Sequence, residues 1–192
     1  MRIIAGTARG RRIEAPEGKN TRPTLDRVRE NLFNILQMDI RGSRVLDLFA
    51  GSGALSLEAL SRGAESATMV DSDRNANRIQ RKNLESLGFT GQAEVMLRDW
   101  KQAVRELTRE GRRYDLVFLD PPYRMTDLHE VFSALESLLE EDGLVILEHE
   151  AKAEISAGDT FSETDRRQWG YCGVSFYRRR KDPGNSTEGE ET

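Results

Sequence analysis

Leu116-Val117-Phe118-Leu119-Asp120-Pro121-Pro122-Tyr123 decides how this chain is read. It opens as an unbroken apolar run, the pattern of a strand buried on both faces of a parallel sheet. It then stops at an acid, two prolines and an aromatic ring. Neither proline can donate a backbone hydrogen bond, and each fixes its own φ, so the strand ends there. The carboxyl end of a central strand is where open α/β sheets bind their ligands. A carboxylate, backbone carbonyls outside any helix and a flat ring suit a planar base with an exocyclic amine. The oxygens accept hydrogen bonds from the amine, and the ring stacks on the base. The same residues would also serve as a strand end with a Pro-Pro turn and a solvated Asp, so the neighbouring sequence has to decide.

Strand and helix patterns alternate around that stretch. Strands are expected near residues 44–49, 66–71, 92–98, 114–119 and 143–148, and helices near 53–62, 74–87, 100–109 and 127–140. This alternation marks a parallel sheet with crossover helices. Upstream, Leu25, Val28, Leu32, Phe33, Ile35 and Leu36 recur at helical spacing, which predicts an amphipathic helix over about 25–38 with Thr24 as its cap. Arg2 to Ala5 and Arg11 to Glu14 flank a glycine-bounded turn as a small hairpin, followed by a loop over residues 16–23. Downstream, Phe161 to Thr164 and Val174 to Tyr177 read as a closing antiparallel hairpin on the sheet's edge. Residues 181–192 are polar and acidic and are expected to be disordered.

A second cluster of chemistry lies at Val45-Leu46-Asp47-Leu48-Phe49-Ala50-Gly51-Ser52-Gly53. It is a buried strand running into a glycine turn and then a helix. The glycines let backbone approach a ligand closely, and the helix N-terminus favours a carboxylate or phosphate. Dinucleotide enzymes share such a turn, but here position 56 is Ser where their third glycine stands. Asp47 also precedes the turn, where it would repel pyrophosphate. A carboxylate there suits a ligand with an ammonium group, such as the methionyl part of S-adenosylmethionine. Asp71 follows Gly51 by 20 residues, the spacing at which an acid grips ribose hydroxyls. Asp99 can accept from an adenine amine with the Trp100 backbone beside the ring, and both Asp73 and Asp99 also read as helix N-caps. Phe49 and Ser72 flank these groups and complete the candidate cofactor set.

Composition narrows the function classes. The 192 residues fit one domain, and no apolar run approaches the ~20 residues of a membrane span. A lone cysteine, Cys172, excludes an intrachain disulfide and fits a reducing, cytoplasmic setting. No His/Cys spacing reads as a metal site, so no metal is expected. The chain is net −4, yet residues 1–30 are net +4. A basic end on an acidic body is the asymmetry expected when one face meets phosphate, and Arg9, Arg11, Arg12 and Arg22 are the candidate RNA contacts. An ordinary solvated basic segment would have the same composition.

Asp47 to Gly53, the acids at 71 and 99, and Asp120-Pro121-Pro122-Tyr123 together resemble the class I S-adenosylmethionine-dependent amino-methyltransferases. The N-terminal Arg2-Ile-Ile-Ala-Gly6, Arg9-Gly10-Arg11, Thr21 to Glu30 and Phe33-Asn34-Ile35-Leu36 are similar to the RsmD family of 16S ribosomal RNA guanine N2-methyltransferases. The likeness runs from residue 2 to about 180. Ser56 replaces an expected glycine and Trp169 an expected tyrosine, neither at a position of the proposed chemistry. The resemblance implies an α/β, Rossmann-like class I methyltransferase fold, with a seven-stranded, mostly parallel sheet, a C-terminal antiparallel hairpin and an N-terminal β-hairpin extension. It also implies S-adenosylmethionine as cofactor and a guanine of 16S rRNA in the small subunit as substrate, with the protein acting as a monomer. Asp120, Pro121 and Tyr123 take the catalytic corner, and Asp47, Phe49, Gly51, Gly53, Asp71, Ser72, Asp99 and Trp100 the cofactor. The expected division is an RNA-contacting segment at 1–23, the methyltransferase domain at 24–180 and a tail at 181–192. The rivals are a DNA adenine or cytosine methyltransferase, an NAD-dependent oxidoreductase and an idle RNA-binding module.

Overall fold

The computed structural model describes residues 1–15, 23–122, 125 and 128–180. The expected loop at 16–22, the tail at 181–192, Arg22 and Tyr123 lie outside these residues. Five strands and five helices alternate through the first part of the chain: α1 (Pro23–Ile35), β1 (Arg44–Asp47), α2 (Ala54–Ser61), β2 (Ser66–Asp71), α3 (Arg74–Leu87), β3 (Ala93–Leu97), α4 (Trp100–Arg109), β4 (Tyr114–Leu119), α5 (His129–Leu135) and β5 (Leu139–Glu150). β6 (Phe161–Trp169) and β7 (Cys172–Arg179) follow as a hairpin. The sheet order is β3-β2-β1-β4-β5-β7-β6, with β7 antiparallel to both β5 and β6 and the other pairings parallel. Chain order reverses between β1 and β4, so the crevice for a ligand opens at their carboxyl ends.

Two cores follow from the two-residue period of the strands. Val45, Leu116, Phe118, Leu144 and Ile146 pack under α1 and α2, while Leu46, Val117, Leu119, Val145 and Leu147 pack under α4 and α5. β4, apolar at every position from 116 to 119, therefore feeds both cores at once.

Two expected boundaries move. The first helix begins at Pro23, so Thr24 lies inside its first turn rather than capping it. Proline suits the opening position because its fixed φ is already helical and its missing N–H has no partner to lose there. The last crossover helix ends at Leu135, not near 140. Leu138 and Leu139 repeat the helical apolar spacing, but the Leu138 carbonyl accepts from Tyr114 N–H at 2.8 Å and draws the chain into β5 early. A register shift against β4 absorbs the extra residues.

The N-terminal hairpin is held by an Arg2–Arg12 bridge and packs Ile3, Ala8 and Ile13 into the first core. Its anchor is Glu58 of α2, fully buried, which accepts from Ile4 N–H at 2.8 Å, Ala5 N–H at 3.0 Å and Arg62 Nε at 2.8 Å. Gly6 passes so close to α2 that a Cβ there would sit 1.7 Å from the Ser61 carbonyl.

Candidate active site

The glycine turn links β1 to α2 and is shaped by its surroundings. Gly53 has φ +79, and a Cβ on it would stand 2.9 Å from Met69 Sδ. Both facts require glycine. Asp71, ending β2, accepts from Gly51 N–H at 2.8 Å through one oxygen and from Asp73 N–H at 2.9 Å through the other. The acid expected on a ribose thus also fixes the turn. Asp73 caps α3 by accepting from Asn75 N–H at 2.8 Å, as its position suggested. Asp99 caps α4 by accepting from Lys101 N–H at 2.9 Å through Oδ1. Trp100 is buried in the second core, Phe49 is half-buried against it, and Ser72 is exposed at the rim.

Asp47 is the group under most tension. It is 1% exposed, Oδ2 accepts from Ser56 Oγ at 3.0 Å, and Oδ1 has no hydrogen-bond partner among the described residues. Burial pushes its pKa up to about 7; the Ser56 hydrogen bond opposes the rise, and the charges of Asp120 and Asp71 add to it. Ser56 therefore does touch the site, contrary to the expectation that its replacement of glycine was incidental. Its hydroxyl donates to this carboxylate, which a glycine could not do. Trp169, the other departure, packs against the first core from the closing hairpin.

Asp120 follows the last residue of β4 and is half-buried, as is Pro121, while Pro122 is exposed. Asp47 pairs with Phe118 across β1 and β4, and Leu48 N–H donates to Phe118 O at 3.2 Å, which sets the Asp-Pro-Pro corner beside the start of the glycine turn. Asp47, Gly51, Gly53, Asp71 and Asp120 are thus brought to one crevice. Pro122 O accepts from Met125 N–H at 2.8 Å.

Three residues that bear on this site carry no motif. Asn77, Gln80 and Asn83 sit on the buried face of α3. Gln80 Nε2 donates to Gly51 O at 2.9 Å, Asn83 Nδ2 to Ser52 O at 3.1 Å, and Asn77 Nδ2 to Asp71 O at 3.3 Å. Gln80 and Asn83 hold two carbonyls of the turn, and Asn77 holds the end of β2 beside it. The available signal was three amides at three-residue spacing on the apolar side of an amphipathic helix. Such groups must find partners when buried.

Among the basic candidates, Arg9 and Arg12 are exposed. Arg11 has another use. Its guanidinium donates to the carbonyls of Ser86 and, at 3.3 Å, Leu87, where it satisfies the C-terminal end of α3. Among the described residues, no group of three or more His, Cys, Asp or Glu could hold a metal ion, and no helix is long and apolar enough to cross a membrane.

Known proteins resemble this chain along most of its length. The family model described as "Conserved hypothetical protein 95" matches residues 1–178. "Putative rRNA methyltransferase YlbH" of Bacillus subtilis is 38% identical over 184 residues, covering 94% of this chain and all of the relative. "Ribosomal RNA small subunit methyltransferase D" of Escherichia coli is 42% identical over 154 residues, covering 79% of this chain and 76% of the relative. A solved structure of the putative methyltransferase yhhF from Escherichia coli superposes with a TM-score of 0.79 at 38% identity, covering 95% and 99% of the two chains. With a family match along nearly its whole length and the glycine turn and Asp-Pro-Pro corner joined at the switch point of the sheet, the chain belongs to the RsmD family of methyltransferases.

Proposed function

We propose that this protein transfers a methyl group from S-adenosylmethionine to the exocyclic N2 amine of a guanine in 16S rRNA of the small ribosomal subunit. The observation that carries the reading is Asp47: a buried carboxylate with one oxygen unpaired, beside a glycine turn and within electrostatic reach of Asp71 and Asp120. Three carboxyl groups converge at this end of the sheet, one of them with its pKa held up by burial until a cation offsets its charge. They disfavour a pyrophosphate, and with it a nicotinamide dinucleotide, and they favour a ligand with cationic groups. S-adenosylmethionine fits on that ground, since its ammonium matches the unpaired oxygen of Asp47, and when bound it would supply an electrophilic methyl whose bond to the positively charged sulfur breaks as the C–N bond forms, leaving a neutral thioether. Asp71 is assigned to the ribose, and Phe49, Ser72, Asp99 and Trp100 to the adenine end.

At the other side of the crevice, Asp120 and the Pro121 carbonyl accept hydrogen bonds from the two amine protons. The amine's lone pair is ordinarily delocalised into the base. Acceptors on its protons draw the nitrogen toward tetrahedral geometry and free that pair to form the new C–N bond. The nitrogen becomes positive as the bond forms, and Asp120 stabilises that charge where it develops and accepts the proton that leaves. Tyr123 is assigned to stacking on the base, which has to be turned out of its RNA context. Arg9, Arg12 and Arg22 are assigned to the RNA backbone, and the relatives' names supply the ribosomal substrate.

The test is methyl transfer from labelled S-adenosylmethionine to small subunits, naked 16S rRNA and duplex DNA, followed by nucleoside analysis. N2-methylguanosine from the ribosomal RNA is expected. Label only in DNA, or none in any nucleic acid, refutes the assignment.

A further inference from the structure

The row of carboxylates at the sheet's carboxyl rim continues past Asp120. β4 and β5 are parallel with Leu119 opposite Leu147, so Glu148 lies level with Asp120 on the next strand. The alternation fixes its side: Leu144 and Ile146 face the core under α1, Val145 and Leu147 the opposite core. Glu148 thus falls on the α1 side. Asp120 has the same parity, since Leu116 and Phe118 lie in that core. On β7, Val174 pairs with Glu148, and Cys172 belongs to the same core. The Cys172 thiol is pushed up by burial, then by the charge of Glu148 and a hydrogen bond with it, and then by the charge of Asp120. The register puts both carboxylates on the α1 side of the sheet, and the response of this one thiol to both agrees with it. Glu148 is half-buried.

We infer that Glu148 is the residue that selects guanine, its carboxylate accepting the N1–H of the base whose N2 amine is held at Asp120. This rests on the transfer proposed above and adds to it the means by which the base is chosen. Guanine presents two donors side by side, N1–H and the 2-amine. Carboxylates accept only, and two of them at the ends of neighbouring strands, whose backbones run roughly 5 Å apart, can meet two adjacent donors. Adenine and cytosine carry a bare ring nitrogen beside their amines. Its lone pair would face Glu148, a repulsive contact that rejects the wrong base as effectively as the right contact holds the correct one.

2-Aminopurine separates these contacts, because it keeps the 2-amine but has an unprotonated N1. The methylated position is first mapped with the wild-type protein. Small subunits are then reconstituted with 16S rRNA carrying guanine or 2-aminopurine at that position. Wild type is expected to prefer guanine by about 100-fold or more in kcat/KM, since a site built around a substrate N–H rejects analogues that lack it. Glu148→Gln, whose amide can donate to a bare N1, is expected to lower that ratio at least about tenfold with S-adenosylmethionine affinity unchanged by calorimetry. An unchanged ratio in Glu148→Gln overturns the role. So does a Glu148→Ala protein as active on guanine as wild type, or a wild-type protein that methylates both bases equally, whatever the fate of the variants. A wild-type protein that leaves guanine N2 unmethylated overturns the transfer itself, and this role with it.

Discussion

Asp47→Asn should make the ligand-free protein more stable and its cofactor binding much weaker. The carboxyl titrates near pH 7 in the folded chain against 3.8 as its ordinary value, chiefly through burial. A shift of about three units corresponds to roughly 4 kcal/mol of penalty on the charged form. The sign follows from proton counting. Between about pH 4 and pH 7 the folded state holds a proton that the unfolded state has released, so stability falls as pH rises through that window and levels off above it. Asparagine removes the charge but weakens the Ser56 contact, which offsets about 1 kcal/mol of the gain. The net expectation is a gain of roughly 1–3 kcal/mol at pH 8 and little change at pH 4.5. For a chain of this size that is a rise in Tm of about 5 °C at the higher pH. Removing one partner of a buried pair costs binding about 3 kcal/mol or more, so the Kd for S-adenosylmethionine should rise roughly 100-fold. Urea denaturation at the two pH values and calorimetry measure both. A variant less stable than wild type at pH 8, with the same pH dependence and the same Kd, would show that Asp47 is an ordinary structural carboxylate.

Three other outcomes are expected. Asp120→Ala should lower methyl transfer at least about 100-fold while S-adenosylmethionine affinity barely changes; full activity would remove Asp120 from the mechanism. Glu58→Ala leaves Ile4 N–H and Ala5 N–H without their acceptor, takes an ion-pair partner from the buried Arg29, and should cost about 3–5 kcal/mol in urea denaturation. A loss below about 1 kcal/mol would mean that the hairpin is not anchored there. Arg9→Ala with Arg12→Ala should flatten the salt dependence of RNA binding, by roughly 0.7–0.9 in log–log slope for each phosphate no longer neutralised, and leave Tm unchanged. An unaltered slope would move the RNA to another face.

The fold was legible because its information is local. Apolar runs such as residues 116–119 end at turn residues, and the helices between them repeat at 3–4-residue spacing. The overlong reading of α5 shows where this fails. Leu135, Leu138 and Leu139 satisfy a helical pattern and a turn-plus-strand pattern equally, and only the pairing of Tyr114 with Leu138 separates them. The same holds for the site. Asp47, the glycines and the Asp-Pro-Pro corner are contiguous motifs, whereas Ser56, Gln80 and Asn83 act on backbone or carboxylate atoms distant in sequence or on the next element. Arg11 was legible as a charge but not as a helix-end donor, because composition does not say which carbonyls are nearby.

The basic hairpin, read from sequence as an extension, is tied to the glycine turn and to α2 through single side chains. Asn83 accepts from Glu14 N–H at 2.8 Å, donates to Glu14 O at 3.0 Å and donates to Ser52 O at 3.1 Å. One amide thus fixes both the outgoing strand of the hairpin and the turn that faces the ligand. Glu58 does the same for the incoming strand from α2. Deleting the hairpin would therefore not isolate RNA binding. It would strip Ile3, Ala8 and Ile13 from the first core and leave a buried carboxylate short of two donors. Defects in cofactor binding and folding would follow even if no arginine ever touched RNA. Arg9 and Arg12, exposed at the hairpin's surface, are the positions where charge can be removed while the packing behind it stays in place.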